Sequence, residues 1–208
     1  EPVPAALPIS TGNVDEWKTI ATAGGATSSV IIDGVKVGTF GPLKINGNLE
    51  VGASGKLYIT GPIYVTGNVK VEGSGKIYVD SSLGTESGII VSDGTLDIQG
   101  SGGIYGSGAP GSYVVIATTS SCPWTPSCSS GSSYAINISG ASGSVVLVAQ
   151  DGKVKLEGSV GIKSLVAKLV EMSGTAHIVY ESGLADLSFS SGPSGSWTLT
   201  SWKEALGL

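Results

Sequence analysis

The 208-residue chain has 11 lysines, no arginine and 16 acidic residues; a net charge of −5 leaves no basic patch to neutralise phosphates, and nucleic acid is not expected as a partner. Glycine, at 33 residues, is more than twice its ordinary share without a collagen-like triplet, while 40% hydrophobic content argues against disorder. With 13% charged residues and abundant Val, Ile, Thr and Ser, the composition points to an all-β chain full of tight turns, and no run of 18 apolar residues marks a membrane span.

Residues 1–12 are Pro-rich and read as a linker or surface arm. The opening Glu1-Pro2-Val3-Pro4 is neither a signal peptide nor a span, so any membrane contact is expected only through an anchor absent from this chain. From Asn13 to Ala21, Val14, Trp17, Ile20 and Ala21 fall at helical spacing behind Asp15, a candidate N-cap. This short amphipathic helix, with strand-like text from Ser29 to Thr39, is expected to form an N-terminal cap over residues 13–40.

The most regular text runs from Ile45 to Val79. Gly47-Asn48-Leu49-Glu50-Val51 recurs as Gly67-Asn68-Val69-Lys70-Val71, and Ser54-Gly55-Lys56-Leu57-Tyr58-Ile59 as Ser74-Gly75-Lys76-Ile77-Tyr78-Val79, both 20 residues on. Leu49, Val51, Leu57, Ile59, Ile63 and Val65 face one way, and Glu50, Lys56, Tyr58 and Tyr64 the other. Three short strands with glycine corners per unit predict a single-stranded parallel β-helix, a β-solenoid of about 20 residues per coil, right-handed by the rule for parallel crossovers. Later copies follow at Gly94–Ile98 with Ser101–Tyr105, at Ile136–Ile138 with Ser142–Leu147, at Gly152–Leu156 and at Ser173–Ile178. One β-solenoid domain over 13–208 is expected, closed by a C-terminal cap at 184–208 in which Trp202, Ala205 and Leu206 cover the end.

Stacking such units makes columns of outward residues. Glu50, Lys70 and Asp97 alternate in sign, which penalises register slips. Tyr58, Tyr78 and Tyr105, continued by Val146 and His177, form an amphipathic strip suited to sugar rings or a partner protein; with Tyr64 and Trp124 these tyrosines are the candidate contact surface. Cys122 and Cys128 bracket Pro123-Trp124-Thr125-Pro126-Ser127 on a bulge from Thr118 to Ser133. With His177 the only histidine and no third thiol, a zinc site lacks ligands, so a structural disulfide in an oxidising exterior is expected. Asn137-Ile138-Ser139 fits a glycosylation sequon, although Asn137 also reads as an outward strand residue. Asp151 and Glu157 flank a strand without a basic partner, and no other acid/base groups converge, so no catalytic residue, cofactor or metal is expected.

Residues Ser164-Leu165-Val166-Ala167-Lys168-Leu169-Val170-Glu171-Met172-Ser173-Gly174-Thr175-Ala176-His177-Ile178-Val179-Tyr180-Glu181 resemble a segment of β-solenoid ectodomains found behind type IV pilin-like N-termini, the PilX-type minor pilin-like proteins and large minor pilins of competence pili. The ending from Ser191-Gly192-Pro193 through Trp197 to Trp202-Lys203-Glu204 is similar to that family's closing tryptophan motif, and the likeness covers about Val37 to Glu204. Thr175 stands where that pattern has Asn, and the pilin-type helix is missing. The resemblance implies a non-enzymatic extracellular or pilus-associated structural or adhesive module, the exported head of a pilin-like surface protein. Its expected partners are other pilus or cell-surface proteins, or glycans; the alternative is a carbohydrate-active β-helix enzyme or a glycan-binding module.

Overall fold

The computed structural model describes residues 9–124, 128, 133–140 and 142–179, with the backbone alone at Ser142. In Lys56–Ile59, Ile63–Val65, Val69–Val71 and Lys76–Val79 the Leu, Ile and Val side chains are buried, and the Lys and Tyr between them turn to the opposite face, as a period of two requires. Pairing between strands is parallel and keeps like with like. Leu49 pairs with Val69, Val69 with Leu96, Leu96 with Ile136, Ile136 with Val154 and Val154 with Val170. Each of these through Val154 is buried in one continuous core.

The expected all-β, single-stranded parallel β-helix is corrected by the sheet layout. Among the described residues the strands form a wide ten-stranded parallel sheet, a five-stranded sheet and a two-stranded pair, with one full α-helix, so the fold is mostly β in parallel sheets. In the ten-stranded sheet the order is Ala26–Ile32, Leu43–Val51, Ile63–Val65, Gly88–Ser92, Val114–Thr118, Val145–Gly158, Ile136–Ser139, Leu96–Gln99 and Val69–Val71, with Ser164–Gly174 branching from Val145–Gly158. Leu43–Val51 pairs with both Ile63–Val65 and Val69–Val71, because it runs on through the place where the repeat predicts a corner between two short strands. Val145–Gly158 and Ser164–Gly174 likewise exceed the short-strand pattern. Nor is the spacing a constant 20: Ile45 pairs with Val65, but Ile63 pairs with Ile90 and Leu147 with Leu165. The five-stranded sheet runs Ser142–Gly143, Gly103–Tyr105, Lys76–Val79, Lys56–Ile59, Val37–Phe40, and Gly161–Ile162 pairs with His177–Ile178.

The helix spans Thr11–Ala23, and its cap is Ser10 rather than Asp15. The Ser10 hydroxyl accepts from the Asn13 amide at 3.3 Å, while the Asn13 side-chain oxygen accepts from the Ser10 amide at 2.9 Å, a reciprocal capping box. The chain is thus ordered ahead of the expected boundary at 12, with Ile9 already buried. The helix does not sit over the end of a strand stack. Val14 and Trp17, with Ile9, cluster against Ile89, Val91, Val115, Ala117, Val146 and Val148 on the outer side of the ten-stranded sheet. The alternate residues Ile90, Val114, Ile116, Val145 and Leu147 belong to the main core. Strands Gly88–Ser92 and Val114–Thr118 are therefore buried at every position, which explains their unbroken apolar text.

At the last described strand the core opens: Val170 and Met172 are exposed although their partners Val154 and Leu156 are buried. The expected C-terminal cap at 184–208, with Trp197, Trp202, Ala205 and Leu206, lies outside the described residues.

Candidate binding surface

The outer face of the five-stranded sheet carries two aligned columns. Thr39 pairs with Tyr58, Tyr58 with Tyr78 and Tyr78 with Tyr105; one position pair earlier, Lys56 aligns with Lys76 and Lys76 with Gly103. The rings of Tyr58 and Tyr78 have centroids 5.0 Å apart at 14°, and those of Tyr78 and Tyr105 are 4.9 Å apart at 17°. These distances match the spacing of neighbouring strands, about 4.8 Å, so each ring stacks on the ring of the next strand. Tyr105 ends the stack at 41% exposure, while Tyr58 and Tyr78 are half-buried. Its ring folds back over its own strand, since a Cβ built on Gly103 would lie 2.3 Å from the Tyr105 hydroxyl oxygen. A glycine at 103 is what makes room for it.

Two expected members of this column are elsewhere. Val146 pairs with Val115 and is buried beneath the helix, and His177 aligns with Gly161, in the two-stranded pair. Lys56 and Lys76 were not singled out from the sequence, although a lysine two residues ahead of the tyrosine in both repeats was the available signal. Among the described residues neither lysine forms an ion pair. Beyond Tyr78 in the same row, Asp80 accepts from the Ser82 amide at 3.0 Å, and hydrogen bonding to Ser82 holds its carboxyl below the usual range. The row thus runs from cation through aromatic to anion.

Tyr64 belongs to a different place. It lies on the ten-stranded sheet, paired with Lys44 and Val91, and its hydroxyl donates to Asp93. Asp93 also accepts from Lys18 of the helix and from the Thr119 hydroxyl at 2.9 Å. The ammonium groups of Lys18 and Lys44 lie 5.2 Å and 5.4 Å from the centre of the Tyr64 ring. Burial, then the hydrogen bond to Asp93 and its charge, push the Tyr64 phenol up to about 12. Burial works against ionisation of Asp93, but the bonds from Lys18, Tyr64 and Thr119 outweigh it and hold the carboxyl below its usual range. Tyr64 therefore fastens the helix to the sheet and is not part of the contact strip.

Cys122 and Cys128 form a disulfide, as their spacing suggested. Trp124 between them is 45% exposed, with the Lys168 ammonium 4.7 Å from its ring centre. The same stem is held at Tyr134, whose ring lies 4.8 Å from Lys153 and whose hydroxyl donates to Glu171. Lys153 bonds Glu171 at 2.7 Å, and its amide donates to the Cys122 carbonyl at 2.9 Å. The charged column is in register, Glu50 with Lys70 and Lys70 with Asp97, but the ion pair of Lys70 goes to Glu72, just past the end of its own strand, at 2.6 Å. Asn137 continues that column and donates to Asp97 at 3.0 Å. Glu157 pairs with Lys155 at 2.7 Å, whereas Asp151 is exposed earlier in the same long strand, Val145–Gly158. No group of three His, Cys, Asp or Glu gathers to hold a metal among the described residues.

No protein-family model, no curated protein and no solved structure matches this chain. The likeness to pilin-like ectodomains rests on the residues quoted for it alone.

Proposed function

We propose that this chain is a non-enzymatic, extracellular structural or adhesive module, the head of a pilin-like surface protein, which meets its partner through the tyrosine stack. The observation that carries the reading is the stacked Tyr58–Tyr78–Tyr105 column on an outer sheet face, whose final residue is 41% exposed. The helix, the one α-helix among the described residues, packs instead against Leu43–Val51, Ile63–Val65 and Gly88–Ser92. A row of preorganised aromatics has little rotamer freedom left to lose on binding, because each ring is already pinned by its neighbours. The disulfide supports an oxidising compartment, and no helix among the described residues is long and apolar enough to cross a membrane. The partner is another pilus or cell-surface protein, or the glycans such surfaces carry.

The test is adhesion of beads coated with the full chain to bacterial and host cell surfaces, with binding and turnover followed in parallel on a glycan panel. Tyr58→Ala, Tyr78→Ala and Tyr105→Ala combined are expected to lower adhesion at least tenfold, while Trp124→Ala leaves it within twofold. Undiminished adhesion by the triple variant would overturn the reading. So would glycan turnover by the parent chain.

A further inference from the structure

Resting on the adhesive reading, we infer that the surface protein meeting the tyrosine stack is a second copy of this chain. The two five-stranded sheets pack face to face about a twofold axis that runs along the tyrosine column. The middle row is self-complementary. Lys76 and Asp80 stand on the same outer face as Tyr78, two residues to either side of it, because Ile77 and Val79 between them are buried. An axis along the column turns each row end for end over its own copy, so Lys76 of one chain meets Asp80 of the other at both ends of the row. Lys56, one strand away, adds to the positive side, and neither lysine is ion-paired among the described residues. An axis parallel to the strands would set the lysine column over itself, so charge selects the first arrangement.

The rings fit the same axis. A Cβ built on Gly103 would lie 2.3 Å from the Tyr105 hydroxyl oxygen, so this ring leans along its row toward the lysine side. Tyr78 stacks on Tyr105 at 17° and Tyr58 on Tyr78 at 14°, with centroids one strand spacing apart, so all three lean alike. The twofold makes the facing column lean the other way, toward the Asp80 side, and the two columns lie side by side between sheets about 10 Å apart. Val37, 61% exposed on the outer face beside Lys56, is covered by the same contact. The strands Val37–Phe40, Lys56–Ile59, Lys76–Val79 and Gly103–Tyr105 make a patch of roughly 400 Å² per copy, half of what a stable interface buries. One pair of copies therefore holds weakly, and surfaces that carry many copies hold well.

The experiment is sedimentation velocity on the full chain up to about 1 mM, with the Lys56→Glu/Lys76→Glu and Asp80→Lys variants run alone and mixed. The parent is expected to form dimers and nothing larger, with a dissociation constant of about 0.1–1 mM. Each variant alone should dimerise roughly tenfold more weakly, since attraction at both ends of the row becomes repulsion. Their equimolar mixture should recover dimers, because the exchanged charges meet again. The glutamate variant keeps the bond from the Ser82 amide to Asp80 and decides alone if Asp80→Lys does not fold. A parent that stays monomeric, oligomers beyond the dimer, undiminished dimers in the glutamate variant, or a folded mixture that recovers none overturns the second-copy inference. The adhesive reading outlives each of those results if the triple tyrosine variant still loses cell adhesion, and falls with it if adhesion is unchanged.

Discussion

Gly75→Ala should be among the most damaging single-methyl changes in this protein. Its Cβ would lie 2.4 Å from the carbonyl oxygen of Val51 and 3.0 Å from the carbon, with the Glu72 oxygen at 3.1 Å. All three are backbone atoms, and the chain around them is pinned: Glu72 donates to Val51 at 3.0 Å, Gly75 to Glu72 at 3.1 Å, and Lys76 to Gly55 at 2.9 Å. Relieving the contact needs a shift of nearly 1 Å, enough to strain two of these bonds at about 1 kcal/mol each. Overpacking adds about 1–3 kcal/mol, for a total loss of about 3–5 kcal/mol. Gly52→Ala is the control, since its Cβ meets only side-chain atoms at 3.8 Å. It should be neutral or slightly stabilising, by up to about 0.5 kcal/mol, through the unfolded chain. Equilibrium urea unfolding followed by far-ultraviolet circular dichroism measures both. A Gly75→Ala protein within about 0.5 kcal/mol of the parent would refute the reasoning that close approach of neighbouring repeats, rather than turn conformation, demands this glycine.

Trp17→Ala removes a side chain that is 1% exposed from the cluster between helix and sheet, and should cost about 3–5 kcal/mol in the same urea assay, with helical ellipticity lost ahead of the sheet signal. Asp93 has a depressed carboxyl in the folded state, so its contribution is complete above the ordinary aspartate value and is lost as pH falls through the folded one; the stability gap between the parent and Asp93→Asn should therefore close on acidification. Tyr64 is shifted the other way, so its protonated hydroxyl contributes fully below the ordinary tyrosine value of 10.0 and that contribution is lost as pH rises through about 12. Absorbance titration of tyrosinate should show a late-titrating group that is missing from Tyr64→Phe. Replacing Cys122 and Cys128 by serine opens a link across six residues and should lower stability by about 2 kcal/mol on chain-entropy grounds, read as a lower urea midpoint that added reductant does not lower further.

Much of the local pairing was legible. Leu49, Val69 and Leu96 fall in one ladder and Tyr58, Tyr78 and Tyr105 in another, because a glycine-punctuated repeat with period-two alternation leaves one register that buries every aliphatic residue. The misplacement of Val146 has the same cause. Ser142–Gly143 does align with Gly103–Ile104, but the chain turns at Ser144, and Val145 starts a strand that pairs with Val114 on the other sheet. Local alternation carries no marker for a corner of one residue. The Lys18–Asp93–Tyr64 cluster joins residues up to 75 positions apart, and nothing in the neighbourhood of any one of them announces the other two.

The sequence by itself determined that the chain would form short parallel-pairing strands, where their buried and outward positions lie, and that the two cysteines would find each other, since each follows from alternation, glycine spacing and chain length between partners. The tertiary structure decided the rest. It joined the strands into sheets of ten, five and two rather than a uniform coil, and laid the helix across Val91, Val115 and Val146 instead of over an end. It also stacked the rings of three aligned tyrosines beside two lysines that form no ion pair among the described residues. Sheet width and docking depend on which apolar faces remain uncovered once local pairing is complete, and that is a property of the assembled surface.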